Sequence, residues 1–410
     1  MNTKMTLLAS SVTLMLSACS ATQTASTGAD SSAAPIAWPE QNVAFCSAAL
    51  DKATEQYEGF RTAYTDPLNI PRSFTDGKTR QDGPMGWTAG FVGGSFWYLY
   101  EHNKQDSWLQ TATTWTEALE PQQFNRKTHD IGFVMNSTFG NGLRLTGNEA
   151  YSPILLNSAK TLMERYNPEL GLTFSWSWGN WEFPVIIDNM MNLELLFEAS
   201  KASGDPRYYD AAVSHATVTM KNHFREDYSS YHLVNYSRTP GKINWKQTFQ
   251  GIADDSSWAR GQGWGAYGYT MVYRYTKDEK FLNHARNIVN YILTHKNMPE
   301  DLVPYFDYDA PDRDDIRNVR DSSAASLVAS ALLELALYVD EAEAKRYREA
   351  AMTMLRSLSS PEYLASKGEN GHFLLKQATG NYPADEEING ALNYGDYYYL
   401  EALHRCKATL

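Results

Sequence analysis

"NMMNLELLFEASKASGDPRYYDAAVSHATVTMKNHF", Asn189 to Phe224, decides the fold. Its first half is crowded with Met, Leu and Phe and keeps small residues such as Ala199 and Ala202 among them. A Ser-Gly-Asp turn follows at Ser203–Asp205. The aromatic Tyr208 then opens a segment whose apolar positions recur at helical spacing opposite a polar stripe. That is a buried helix, a tight turn and an amphipathic helix. The unit returns in "GFVMNSTFGNGLRLTGNEAYSPILLNSAKTLMERY", with turn Thr-Gly-Asn and aromatic Tyr151. It returns again in "RGQGWGAYGYTMVYRYTKDEKFLNHARNIVNYIL", with turn Thr-Lys-Asp and aromatic Phe281. Fainter copies run from Trp87 to Leu119 and from Ser322 to Leu358.

Counting outward gives twelve helices, starting near residues 40, 86, 105, 130, 150, 188, 205, 259, 278, 321, 342 and 390. Gly- and Ala-bearing apolar helices alternate with amphipathic ones. The pattern predicts an all-α fold, an (α/α)6 toroid of six helical hairpins, with the apolar helices inside. The extra length between repeats precedes the inner helices, so the long loops gather at one mouth, where function is expected.

The chain has 410 residues, is 43% hydrophobic and 13% aromatic, and carries a formal net charge of −12. That balance disfavours nucleic acid as a partner, and an anionic ligand must be met by a few placed cations. Eleven Trp and 26 Tyr supply flat rings for stacking on sugars. Residues 1–19 read as a signal: Lys4, an apolar run from Met5 to Leu16, then Leu16-Ser17-Ala18-Cys19. The last four resemble a bacterial lipobox, implying cleavage before Cys19, lipidation of its sulfur and an outer-membrane anchor on the periplasmic or cell-surface side. Residues 20–36 lack bulk and read as a flexible tether, which leaves 37–410 as one catalytic domain. Cys46 and Cys406 remain, paired or as buried thiols, and no Cys/His spacing suits zinc.

The inner helices open on unusual residues: Trp87, His129-Asp130, Asp188, Trp258-Ala259-Arg260, Asp321, and Asn393 to Asp396. An aspartate at a helix start is most often an N-cap. Two of them at converging helix starts, Asp130 and Asp188, also make a candidate acid/base pair. Burial of Asp188 beside Val185, Ile186 and Ile187, with a second carboxylate nearby, would raise one pKa and make a proton donor near neutral pH. Gly90, Gly93 and Gly94 follow no strand and read as helix-packing residues rather than a phosphate loop. His215, His223, His284 and His295 fall on outer-helix patterns, as solvated or packing residues.

Five segments, "HDIGFVMNSTFG", "VIIDNMMNLELLFEAS", "DDSSWARGQGWGAYGYT", "DSSAASLVASALLELA" and "NYGDYYYLEAL", resemble the signature segments of glycoside hydrolase family 88, the unsaturated glucuronyl hydrolases. The likeness runs with gaps from about Trp87 to the C-terminus. It implies an enzyme acting on oligosaccharides left by polysaccharide lyases, whose terminal uronate carries a C4=C5 double bond. Such enzymes protonate C4 and hydrate the double bond, and need no metal or organic cofactor. By the resemblance Asp188 is the general acid/base and Asp130 its partner. Trp87, His129, His232, Gln250, Trp258, Arg260 and Trp264 bind substrate. Arg260 is expected to meet the uronate carboxylate, and Trp87 and Trp264 to offer their faces to the ring.

One of Trp176, Trp178 and Trp181 is expected to floor the next sugar, with Trp178 chosen. Lys376 falls where family members distinguish sulfate, without the Ser-rich pattern of sulfate preference, and Asn389 replaces an expected acid. The implied partner is an anionic unsaturated oligosaccharide, with membrane contact through the lipid only; monomer and homodimer both remain open. The alternatives are the sister specificity, an unsaturated rhamnogalacturonyl (galacturonyl) hydrolase, and a non-catalytic oligosaccharide-binding lipoprotein.

Overall fold

Left-handed residues at the ends of four of the apolar helices fold each of these back on the helix that follows. In the computed structural model, which describes residues 39–408, the helices are α1 (Glu40–Ala63), α2 (Ala89–Asn103) and α3 (Asp106–Glu117). Next comes α4, in which a π-helical Asn136–Gly140 joins Ile131–Met135 to Asn141–Thr146. Then follow α5 (Tyr151–Met163), α6 (Asn189–Ser203), α7 (Pro206–Asn222) and α8 (Ala259–Thr276). The last four are α9 (Glu279–Thr294), α10 (Ser322–Leu335), α11 (Glu341–Leu358) and α12 (Asn393–Lys407). Gly147, Gly204 and Lys277 end α4, α6 and α8 at φ of 67°, 72° and 53°. Each sends its N–H back to a carbonyl four residues earlier, satisfying an acceptor the helix end leaves open. Asp205 and Asp278 then cap α7 and α9 through the N–H of Arg207 and Lys280.

The even-numbered helices pack each on the next, and α12 returns to α2, so an inner ring of six closes. Every residue of α10 is buried, as is α8 from Ala259 to Val272. The odd-numbered helices lie outside. For example, α9 buries one face, Phe281, Leu282, Ala285, Ile288, Val289 and Ile292, and leaves the other to solvent. The repeat aromatics Tyr151, Tyr208 and Phe281 are buried. At Gly90 a Cβ would lie 2.5 Å from the carbonyl oxygen of Val134, and at Gly94 2.5 Å from the Tyr397 ring. These glycines let α2 close on α4 and α12, which is the packing role. The (α/α)6 toroid is thus present.

The mouth loops also hold short strands that helical periodicity does not reveal. β1 (Ile70–Thr75) pairs with β2 (Lys78–Asp82), β3 (Tyr166–Asn167) with β4 (Leu172–Thr173), and β5 (Phe183–Ile186) with β6 (Leu233–Tyr236). β7 (Ile243–Gln247) extends the last pair, and β8 (Ala391–Leu392) adds to β1. The apolar run before Asp188 is therefore a strand buried on both faces. Cys46 of α1 and Cys406 of α12 form a disulfide, tying the first helix to the last across 360 residues. Cys19, the signal and the tether lie outside the described residues. Among those described, no helix is long and apolar enough to cross a membrane.

Candidate active site

All six inner-helix N-termini converge on the mouth, and five of them line one cavity of about 430 Å3. Trp87 comes from the start of α2, His129 and Asp130 from α4, Asp188 from α6, Trp258 and Arg260 from α8, and Tyr394 from α12. The sixth contributes indirectly. Asp321 caps α10 by accepting from the N–H of Ser323 and Ala324, and its other oxygen accepts from Arg260 Nη1 at 2.8 Å.

The caps and the candidate acids separate cleanly. Asp205, Asp278, Asp321 and Asp340 each accept a helix N–H. Neither Asp130 nor Asp188 does. The capping reading of Asp188 is therefore corrected: its backbone turns into α6 while the carboxyl is left over for the cavity. Asp188 is 7% exposed, and its Oδ1 has no hydrogen-bond partner. Burial first, and the charge of Asp130 second, push its pKa up to about 8 against the opposing pull of Arg260. Asp130 sits differently, because its Oδ2 accepts the Thr128 hydroxyl at 2.8 Å. One acid of the pair has a donor and the other none.

Around this pair the histidines are neutral. Burial and then Arg260 bring His232 down to about 3. Burial likewise lowers His129, opposed by Asp130. His129 Nδ1 lies 2.9 Å from the Ser175 carbonyl oxygen. A carbonyl only accepts, so Nδ1 carries the proton and Nε2 is left as an acceptor, 3.2 Å from Asp130 Oδ1 but not aligned for a bond.

Two expectations are corrected here. Trp264 is 0% exposed and packs on Phe133 and Tyr398, away from the cavity wall. It shares a helix face with Arg260, but four residues along α8 lead about 6 Å deeper into the barrel. His232 is also fully buried, set behind Asp188 with its ring edge-on to Trp258 at 4.7 Å, so it supports the wall instead of forming it.

Arg260 is at the wall, yet its guanidinium is largely engaged. Beyond Asp321, Nη1 and Nη2 donate to the carbonyls of Thr379 and Gly380, and only Nε is left without a partner. Trp258 and Tyr394 flank it at 4.5 and 5.1 Å. Of its five N–H groups, Nε–H and one on Nη2 remain, so it supplies positive field and at most two N–H donors to a substrate carboxylate. Gln250 lines the cavity and reaches the Gly380 carbonyl at 3.3 Å. Trp87 stands at the rim beside Tyr394 and Phe133.

Trp178 is 58% exposed and stacks on Trp176 at 4.8 Å with an 11° interplanar angle. Trp181 and Phe249 close an aromatic corner around them. Sequence reasoning missed Arg72, Lys127, Phe249 and Glu386 in the wall, and placed Tyr394 at an inner-helix start without giving it a role. Arg72 comes from β1 and is paired with Asp82 and Glu387 at 2.9 Å each. Lys376 donates to the Pro361 carbonyl and does not line the cavity. His215, His223 and His284 are buried packing residues.

The geometry fits known proteins. A curated relative from Formosa agariphila, described as an unsaturated glucuronyl hydrolase, is 45% identical over 322 residues, covering 78% of this chain and 79% of its own. The solved structure of an unsaturated glucuronyl hydrolase specific for heparin superposes with a TM-score of 0.84 at 45% identity, covering 88% of this chain and 96% of the other. An aspartate-to-asparagine variant of the Streptococcus agalactiae enzyme, complexed with dGlcA-GalNAc6S, superposes with a TM-score of 0.75 at 28% identity, covering 90% and 93%. The profile of Glycosyl Hydrolase Family 88 matches residues 69–408. By this match and these relatives, the chain belongs to glycosyl hydrolase family 88.

Proposed function

We propose that the protein removes the terminal 4,5-unsaturated uronic acid from lyase-generated oligosaccharides by hydrating the double bond. The observation that carries this reading is Asp188, a buried carboxyl held protonated up to about pH 8, uncapped and facing a cavity ringed by aromatics. An acid that keeps its proton at neutral pH suits protonation of carbon.

The Asp188 proton adds to C4, and the C4=C5 electron pair forms the new C4–H bond. The positive charge at C5 is shared with the ring oxygen. Water adds at C5, and its surplus proton passes to the Asp188 carboxylate, restoring the acid. The hemiketal then breaks its C5–ring oxygen bond to give a C5 ketone, and the hemiacetal left at C1 expels the rest of the chain.

In this reading Asp130, with Thr128 on its far oxygen, raises the Asp188 pKa and faces the site of water attack. His129 Nε2 and Gln250 take substrate hydroxyls. Arg260 supplies positive field to the uronate carboxylate, Trp87 and Trp258 border its ring, and Trp178 floors the leaving sugar.

The test is ultraviolet absorbance of the conjugated double bond in a panel of lyase-generated disaccharides, glucuronyl and galacturonyl, sulfated and unsulfated. Loss of absorbance with release of the leaving sugar supports the reading. Unchanged absorbance across the panel, with folded protein, refutes it. We also propose lipid anchoring to the outer membrane through Cys19, supported by the lipobox-like Leu16-Ser17-Ala18-Cys19. Metabolic labelling with a fatty acid, abolished by Cys19→Ala, tests it.

A further inference from the structure

The strand wall of the catalytic cavity has a second face. Ser175 and Ile186 line the catalytic side, while Phe174 and Phe183 border a separate recess of about 600 Å3, as alternation along extended chain requires. Three arginines, Arg126, Arg165 and Arg238, face this recess, against two glutamates, Glu164 and Glu169.

The arginines are not equivalent. Arg126 is taken by Glu164 at 2.8 Å. Arg165 donates only to neutral carbonyls: Nε to Phe174 at 2.8 Å, Nη1 to Arg126 at 2.7 Å and Nη2 to Ser175 at 2.8 Å. Among the described residues, no carboxylate oxygen comes within 4.0 Å of the guanidinium of Arg165 or Arg238. Both cations lie over aromatic rings, Arg165 over Phe174 at 5.2 Å and Arg238 over Phe183 at 5.8 Å. The chain carries net charge −12, and most of its arginines sit in ion pairs. Two guanidinium groups with no carboxylate in contact share one recess. Glu182 takes the backbone N–H of Arg238 at 2.7 Å and not its guanidinium. Arg165, fixed by three backbone acceptors, keeps one N–H on each of Nη1 and Nη2, so the pair forms a preorganised anion receptor.

We propose that this recess is a second binding site, distinct from the catalytic cavity, for a sulfate or carboxylate group of an acidic polysaccharide. The planar fork of arginine suits both oxyanions. Such a site keeps the enzyme on the polymer from which its small substrates are released. It stands independently of the proposed chemistry, since it needs neither Asp188 nor the double bond.

Arg165 shares the Ser175 carbonyl with His129, so its substitution would disturb the active site, and Arg238 is the residue to change. The experiment is affinity electrophoresis of the full chain at low ionic strength. One set of gels contains heparin and another contains hyaluronan, which bears carboxylates and no sulfate. Retardation is expected, weakened about tenfold in Arg238→Ala, as for loss of one charged hydrogen bond, and abolished in Arg238→Glu. Hydrolysis of an unsaturated disaccharide should be unchanged in both variants. Retardation by heparin alone assigns the site to sulfate; retardation by both shows that carboxylate suffices. Absence of retardation in either gel, or an Arg238→Glu variant retarded like the parent, overturns the proposal. Loss of disaccharide hydrolysis in the unmodified protein would instead count against the proposed function alone.

Discussion

Nδ1 of His232 lies 3.5 Å from Oδ1 of Asp188, yet the two form neither a hydrogen bond nor an ion pair. Burial keeps the imidazole neutral, with its pKa at about 3. A neutral ring cannot hold a carboxylate in its charged form, so nothing on that side opposes the desolvation that raises Asp188. The wall behind the acid is built to keep it protonated.

The pH dependence of activity follows. Asp188 must carry its proton, which is lost as pH rises through about 8. In the free enzyme kcat/KM should fall above that value, approaching roughly tenfold per pH unit for a single ionisation. Asp130 is the second cause of the raised pKa, so Asp130→Asn should shift this alkaline limb to lower pH, besides reducing the rate. A pH profile of kcat/KM checks both.

Stability should fall on acidification. His129, His215, His223, His232 and His284 are buried and His404 is partly so, all with lowered pKa values, near 3 for His215 and His232 and near 4 for His284 and His404. Below pH 6.5 the unfolded chain binds protons that the folded chain refuses, so each costs about 1.4 kcal/mol per pH unit down to its folded value. Asp188 and Asp396, raised to about 8 and 7, and Asp307, also raised by burial, act oppositely, because they release protons on unfolding and so favour the folded state as pH falls. Six histidines against three carboxyls leave net uptake. Thermal melts between pH 6.5 and 4 should show Tm falling with acidity.

Two tryptophans named together by the sequence should behave apart. Trp178→Ala, at the exposed lip, should raise KM for the disaccharide several-fold, about 1 kcal/mol of stacking, and leave Tm unchanged. Trp264→Ala removes a fully buried ring and should cost about 3–5 kcal/mol of stability. Paired Tm and steady-state measurements separate binding from packing.

Reduction of the Cys46–Cys406 bond releases the constraint between α1 and α12. Loss of a native disulfide costs about 2–5 kcal/mol. Cys406→Ala or added reductant should therefore lower Tm, with activity retained at temperatures below the new transition, since neither cysteine lines the cavity.

Most of the ring was legible because inner and outer helices differ in chemistry. Ala324 to Leu333 is small or apolar throughout, while Glu341 to Leu358 alternates charge with bulk. The left-handed turns at Gly147 and Gly204 mark the reversals. The mouth was harder to read. Val185–Ile187 is too short an apolar run for periodicity to distinguish strand from helix. Arg72 reaches the site because Ser73 and Phe74 of β1 pair with Leu392 and Ala391, more than three hundred residues away. Spacing grouped Trp264 with Arg260 correctly by face and wrongly by depth, since it carries no information about distance from the mouth. The difference between Asp188 and a capping aspartate such as Asp321 was also invisible, because both open a helix and spacing does not reveal that Asp188 is already helical at φ −52°, ψ −27° while Asp321 is not, at φ −130°, ψ 87°.

The most direct test of the account is Asp188→Asn, assayed on an unsaturated disaccharide by loss of double-bond absorbance, with circular dichroism on the same sample. Asparagine keeps the shape and the neutral charge of the protonated acid but cannot deliver a proton to carbon. The account predicts a turnover reduced about 10²–10⁴-fold, as for removal of a general acid, in a protein with unchanged fold and Tm. Full activity in that folded variant would contradict it.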